Sequence, residues 1–155
     1  MSLKSVSVKP SLTGSVQSLE IVEPNGEKTE LVVVPAGDQH RSFILSTWIR
    51  SWLASGRLIG TWVSEHLDDE RRVAEANWSG AMVLTDSDGY VVYAWVLPKD
   101  GHLDYVYVAP EVRKIGIAKA MASLVCDMKS RSRSVSPTAP AWIRDLKFNP
   151  YIFGR

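Results

Sequence analysis

Hydrophobic and polar positions change period several times along the chain, and each change marks an element. Residues 16–23 and 29–34 alternate or run β-branched, and Glu23-Pro24-Asn25-Gly26 separates them. Asn-Gly favours a tight turn, so the pattern predicts a hairpin whose second strand holds Leu31, Val32, Val33 and Val34. Leu45, Trp48, Ile49, Trp52 and Leu53 then recur at helical spacing, with Asp38 as N-cap and Gly56 as stop. A more polar helix is expected over 64–77, with Leu67 and Val73 its apolar positions. Three strand-like runs follow, at 81–84, 91–97 and 102–108, separated by Asp86-Ser87-Asp88-Gly89 and Pro98-Lys99-Asp100-Gly101; they read as an antiparallel meander. After Pro110, Ile117, Met121, Leu124, Val125 and Met128 fall on one helical face. Residues 1–14 and 129–140 read as flexible, and Trp142-Ile143-Arg144 as a last short strand.

The expected order is β, helix, helix, β, β, β, helix, β. A strand, a crossover helix and another strand favour a parallel pairing near the end. The fold class is therefore α/β: a mixed, mostly antiparallel sheet with helices on its faces, in one domain spanning 1–155. A chain of 155 residues is of single-domain size.

Composition narrows the setting. Hydrophobic residues make up 45% and charged residues 23%, a globular balance. No apolar run approaches the roughly 20 residues of a membrane helix, and MSLKSVSVKPS lacks the apolar stretch of a secretory signal. One cysteine, Cys126, and three scattered histidines exclude an internal disulfide and a Cys/His zinc site. A reducing, cytoplasmic location is expected. The net charge of +1 is unevenly spread: residues 1–110 carry 9 Lys/Arg against 14 Asp/Glu, and residues 111–155 carry 9 against 3. This points to a local anion site in the last third rather than a general nucleic-acid surface.

The stretch from Leu103 to Lys119 carries the most chemistry. A strand ends at Pro110, a short loop carries Arg113, and Gly116 and Ala118 open a helix. Such a helix start offers unpaired N–H groups and the positive end of a dipole, and small residues let a phosphate or pyrophosphate approach the backbone. The sequence lacks the P-loop pattern and the three-glycine dinucleotide fingerprint. It does resemble motif A of the GNAT (GCN5-related N-acetyltransferase) superfamily, an apolar strand followed by Arg/Gln-x-x-Gly-x-Gly/Ala at the head of a helix. Here that reads Val106-Tyr107-Val108-Ala109-Pro110-Glu111-Val112-Arg113-Lys114-Ile115-Gly116-Ile117-Ala118. The element order from about residue 31 to 146 also resembles that fold. The chain is similar, further, to small GNAT-like proteins encoded by tailed phages in Thr47-Trp48, the Tyr-Val-Tyr-Val strand, the Arg-x-x-Gly turn and Phe148-Asn149-Pro150-Tyr151; that likeness would place it in a host cytoplasm.

The resemblance implies an N-acyltransferase that uses acetyl-CoA and acts on a primary amine of a small molecule or a protein by direct attack. It implies that the pantetheine arm bonds the backbone of Val106 and Val108. The pyrophosphate would sit on the turn formed by Arg113, Lys114, Ile115, Gly116, Ile117 and Ala118. It places a base at His102, six positions before Val108, with Asp104 two residues on. Strand residues two apart share a face, and an imidazole beside a carboxylate is a reasonable proton acceptor. Read without the family, the same segment is an ordinary strand–helix crossover, His102 an exposed turn residue and Asp104 a solvated strand position. The superfamily's general acid is a tyrosine beyond the last parallel strand. The chain is too short there for the usual further elements, which leaves Tyr151 as the candidate; Tyr105 and Tyr107 are expected to pack against the sheet. The bare sheet edge this implies would favour a homodimer.

A second function class fits the same scaffold: a binding protein without transfer activity that grips another protein, for example a host enzyme. Lys129, Arg131 and Arg133 could touch RNA or a cofactor phosphate, but RNA binding is the weakest reading, because three charges leave a small electrostatic footprint and a solvated linker explains them. Trp48 and Trp52 read as core and Trp62 as a pocket residue. Glu65, His66, Asp68 and Asp69 read as a solvated helix start with no metal spacing. Asp86-Ser87-Asp88-Gly89 lacks a downstream calcium-binding Glu and reads as a turn. Cys126 reads as a small buried hydrophobe.

Overall fold

The structure is a computed structural model that describes residues 7–13, 16–54, 63–133, 135 and 138–149. Strands β1 (Ser7–Thr13), β2 (Val16–Val22), β3 (Lys28–Pro35), β4 (Met82–Thr85), β5 (Val92–Lys99), β6 (His102–Val108), β7 (Ser130–Arg131) and β8 (Lys147–Phe148) form one sheet in sequential order. Neighbours are antiparallel from β1 to β6, and β6–β7 and β7–β8 are parallel. Helices α1 (Arg41–Ala54), α2 (Val63–Asn77), α3 (Ile117–Val125) and the single turn α4 (Ala141–Arg144) complete the chain.

The mixed α/β class, the hairpin turning at Asn25-Gly26 and the meander follow the expected pattern. Gly26 takes φ +87°, which glycine adopts without steric cost. Four expectations need correction. Residues 7–13, read as loose, form an edge strand on β2; the segment is polar and contains Pro10, which an edge tolerates and a central strand does not. Residues 130–131, read as part of a flexible connector, form the parallel partner of β6. Residues 142–144, read as that partner strand, are helical instead: Ile143 and Arg144 donate their N–H groups to Pro140 O. Asp38 opens a short 3-10 turn ahead of α1 rather than capping it, and the Gly37 N–H is taken by His40 Nδ1 at 3.1 Å.

The sheet separates two apolar layers. On one side α3 sets Ile117, Met121 and Ala122 against Leu19, Leu31, Leu84, Val96 and Leu103. On the other, α1 and α2 set Ile44, Trp48 and Ala74 against Val83, Trp95 and Leu97. Trp48 and Trp95 are fully buried and stacked, with ring centroids 5.5 Å apart, so the tryptophan stripe of α1 is core on its Trp48 side. Burying such rings is worth a few kcal/mol each. Trp95 Nε1 donates to Thr47 Oγ1 at 2.9 Å, which keeps its one polar atom satisfied.

Strand β6 is irregular where it matters. Leu103 pairs with Pro98 and Tyr105 with Leu97, so Asp104 is an extra residue, a β-bulge beside a proline that has no N–H to donate. Leu103, Val106 and Val108 pack toward α3, whereas Tyr105 and Tyr107 pack toward α1 and α2.

Candidate functional site

Strand β6 is paired along its whole length with β5 on one edge but only at its start with β7, through Leu103 opposite Arg131 and Ser132 N donating to Leu103 O. Ala109 donates its N–H to Tyr93 O on the β5 side. By ladder alternation the backbone groups of Val106 and Val108 therefore point to the opposite edge. Among the described residues no strand pairs with them there. Among the described residues only Val108 O is engaged, accepting from Arg113 Nε at 2.7 Å. The two residues that the resemblance assigns to an extended ligand thus present the N–H and C=O of Val106 and the N–H of Val108 along an open edge.

Beyond Val108 the chain makes a 3-10 turn at Pro110–Val112 and a tight loop into α3. Lys114 takes φ +67° and Gly116 φ +94°, both left-handed. A side chain at Gly116 would meet no atom within 4 Å, so the backbone there faces open space and only the φ angle demands glycine. Ala120 N is the first helical donor, bonded to Gly116 O at 3.1 Å, which leaves the earlier N–H groups of α3 without intrahelical partners. Arg113, Lys114 and Gly116 are exposed, Ile115 and Ala118 are half-buried, and Ile117 anchors the turn in the core. Arg113 lies over the Tyr107 ring, 5.7 Å from its centroid. On the α1 side of this turn an open cavity of about 370 Å³ is lined by Thr47, Arg50, Ser51, Ala54, Tyr107 and Arg113.

His102 and Asp104 stand toward the other end of β6, about 20 Å and about 13 Å from Val108 at the usual rise per strand residue. His102 is half-buried, not an exposed turn residue, and its Nδ1 is hydrogen-bonded to Ser130 Oγ. Its Nε2 makes no hydrogen bond among the described residues. Asp104 is not solvated either: its side chain is fully buried. Oδ1 accepts from Ser132 Oγ at 2.5 Å and from Arg133 Nε at 3.2 Å. Burial pushes the Asp104 carboxyl above its ordinary range, and Arg133 and Ser132 pull it partly back. Arg133 also reaches Glu70 Oε1 at 2.8 Å, and that oxygen accepts from Trp48 Nε1 at 2.7 Å. Burial opposes the Arg133 charge, but Asp104 and Glu70 outweigh it and raise its pKa. Tyr151 and Trp62 lie outside the described residues.

No family model, curated protein or solved structure matches the chain.

Arg133, Glu70 and the serines 130 and 132 are the site residues that the sequence pattern does not reveal. They sit in stretches that read as linker and as polar helix. The available signal was the Ser-Arg alternation of residues 130–133: a strand of that pattern puts both serines on one face, where each meets a β6 side chain. Tyr105 and Tyr107 pack as expected, in a stack with Trp48 and Trp95. Glu65, His66, Asp68 and Asp69 are exposed, and the two aspartates pair with Arg71 and Arg72.

Cys126 ends α3 and is 9% exposed, with Sγ 3.9 Å from His102 O. Burial and the neighbouring Asp127 push its thiol up to about 11. The native thiol is therefore almost wholly protonated at pH 8, and an aromatic disulfide reagent should react with it at least tenfold more slowly than with the unfolded chain. Because the folded pKa is the higher one, Cys126 adds stability below pH 9 that is lost as pH rises toward 11. Thiol reaction at the unfolded rate in native buffer would contradict this placement.

Proposed function

We propose that the chain binds an acyl-CoA thioester along the open edge of β6 and transfers the acyl group to a primary amine. The observation that carries this reading is the coincidence, at one strand end, of the unpaired Val106–Val108 edge and the left-handed Lys114–Gly116 turn that exposes the first N–H groups of α3. An extended arm satisfies the edge, and a diphosphate suits the turn, with Arg113 and Lys114 beside it. The GNAT-like reading of the mixed sheet rests on the same motif. When bound, acetyl-CoA would supply an activated acyl carbonyl. An arm running along β6 away from the turn approaches the bulge at Asp104 and, beyond it, His102.

The chain's own residues would then do two things. The β6 edge orients the thioester, and His102 Nε2 takes the proton that the attacking ammonium must lose. The ring is held for that role by Ser130 at Nδ1. In the transfer a C–N bond forms, the C–S bond breaks, and the released thiolate takes a proton. Incubation with labelled acetyl-CoA and a mixture of small amines and lysine peptides, read by mass spectrometry, should give acetylated product. The His102→Ala variant should be slowed 100-fold or more in kcat, with acetyl-CoA affinity unchanged. An unaltered kcat in that variant would remove His102 from the mechanism.

The closure of Asp104 by Arg133 and Ser132 favours a second reading, a protein that binds CoA or another protein without chemistry. That reading expects acetyl-CoA binding without turnover, and retention of biological activity in the His102→Ala protein. In either case no helix among the described residues is long and apolar enough to cross a membrane.

A further inference from the structure

The side chains around Arg133 have the composition of a cation receptor. The guanidinium carbon lies 5.3 Å from the Trp48 ring centroid and 5.4 Å from that of Tyr105. Asp104 and Glu70 take its N–H groups from two directions, at 3.2 and 2.8 Å. Glu70 is itself held by Trp48 Nε1, so the carboxylate and the ring are fixed relative to each other. The receptor is assembled from three separate elements, α1, α2 and the β6 bulge, and Arg133 joins Asp104 at the bulge to Glu70 of α2. Aromatic faces with carboxylates recognise guanidinium and alkylammonium groups by ring electrostatics and charge-assisted hydrogen bonds.

One atom of the receptor is unused. Asp104 Oδ2 is fully buried and has no hydrogen-bond partner among the described residues. A buried carboxylate oxygen left without a donor is costly, and Arg133 does not fill that position. A donor group of different reach would.

We propose that Trp48, Tyr105, Asp104 and Glu70 form a recognition site for an alkylguanidinium or alkylammonium group, which the chain's own Arg133 occupies in this structure. An external cation of that class competes with Arg133 and can also satisfy Asp104 Oδ2. The site's affinity for it is reduced by the fraction of molecules in which Arg133 is seated. This inference stands on the ion-pair geometry and does not need acyl transfer or CoA binding.

The test uses ethylguanidinium and ethylammonium as probes, titrated into the full chain and followed by the Arg133 side-chain Nε–H resonance and by heat. In the wild type the resonance should broaden or shift as the probe displaces the guanidinium. Removing the internal competitor in Arg133→Ala should tighten probe binding at least tenfold, and Asp104→Asn in that background should abolish the gain. If Arg133→Ala folds poorly, the probe should raise its folded fraction in proportion to occupancy, and Arg133→Lys should show an intermediate affinity. Equal probe affinity in wild type and Arg133→Ala, indifference to Asp104→Asn, or no rescue of folding would each overturn the proposal and leave Arg133 as a structural ion pair. CoA titrated into Arg133→Ala and Arg133→Lys keeps the two readings apart, because it should bind both as it binds the wild type.

Discussion

Replacing Arg133 with alanine should cost about 3–5 kcal/mol of folding stability at pH 7, the range for breaking a buried ion pair on one side. The substitution leaves a fully buried Asp104 and a Glu70 that is 13% exposed without their counter-charge. It also strips a cation from the faces of Trp48 and Tyr105. A domain of this size has only about 5–15 kcal/mol in total, so the loss should be plain in urea unfolding. The pH dependence follows from the Asp104 carboxyl, whose pKa burial already raises and which would lose the guanidinium that holds it down. A group with a raised folded pKa contributes stability below its unfolded value, near 3.8, and loses it as pH rises through the folded value. The deficit of Arg133→Ala should therefore shrink on acidification from pH 7 toward pH 4. Adding Asp104→Asn should recover part of the loss, since a neutral amide needs no counter-ion. A deficit below 1 kcal/mol, or one independent of pH, would mean that solvent reaches the pair.

The second large effect concerns Gly116. Its φ of +94° lies in the left-handed region, and a Cβ there would point into open space. Gly116→Ala should thus lose about 1–3 kcal/mol of stability from backbone strain alone while still binding acetyl-CoA within a few-fold. Gly116→Glu carries the same strain and adds a carboxylate at the proposed diphosphate position. Like-charge juxtaposition costs several kcal/mol, so its affinity should fall by about 100-fold or more. Calorimetric titration of both variants separates strain from charge. Equal affinity in the two would place the diphosphate elsewhere.

Much of this architecture is legible from residue pattern. The Asn25-Gly26 hairpin, the 82–108 meander and the α3 stripe up to Val125 all rest on local periodicity reinforced by glycine and proline, whereas Met128, read onto the same stripe, lies beyond the helix end with φ +58°. What failed to show rests on non-local pairing. The two residues of β7 have no period to detect, and Ser130 and Ser132 are buried because His102 and Asp104 lie opposite them. The helical turn at residues 141–144 depends on Pro140 placing a free carbonyl ahead of it. The candidate site divides the same way. Gly116 and the strand before it announce themselves by residue type and spacing, because the left-handed φ of such a turn calls for glycine. Arg133 reads as one charge in a polar linker, and its importance appears only when α1, α2 and β6 converge on it. Asp104 has the expected face but not the expected environment, since the bulge draws it into an ion pair that a simple two-residue alternation does not foresee.

The most direct test of the central claim is a titration of acetyl-CoA into uniformly labelled protein, followed amide by amide. The account predicts saturable shifts in Val106, Val108 and the Lys114–Ala118 turn, with little change in β1 to β3. Absence of any shift at millimolar cofactor, or shifts confined to another face of the sheet, would contradict it.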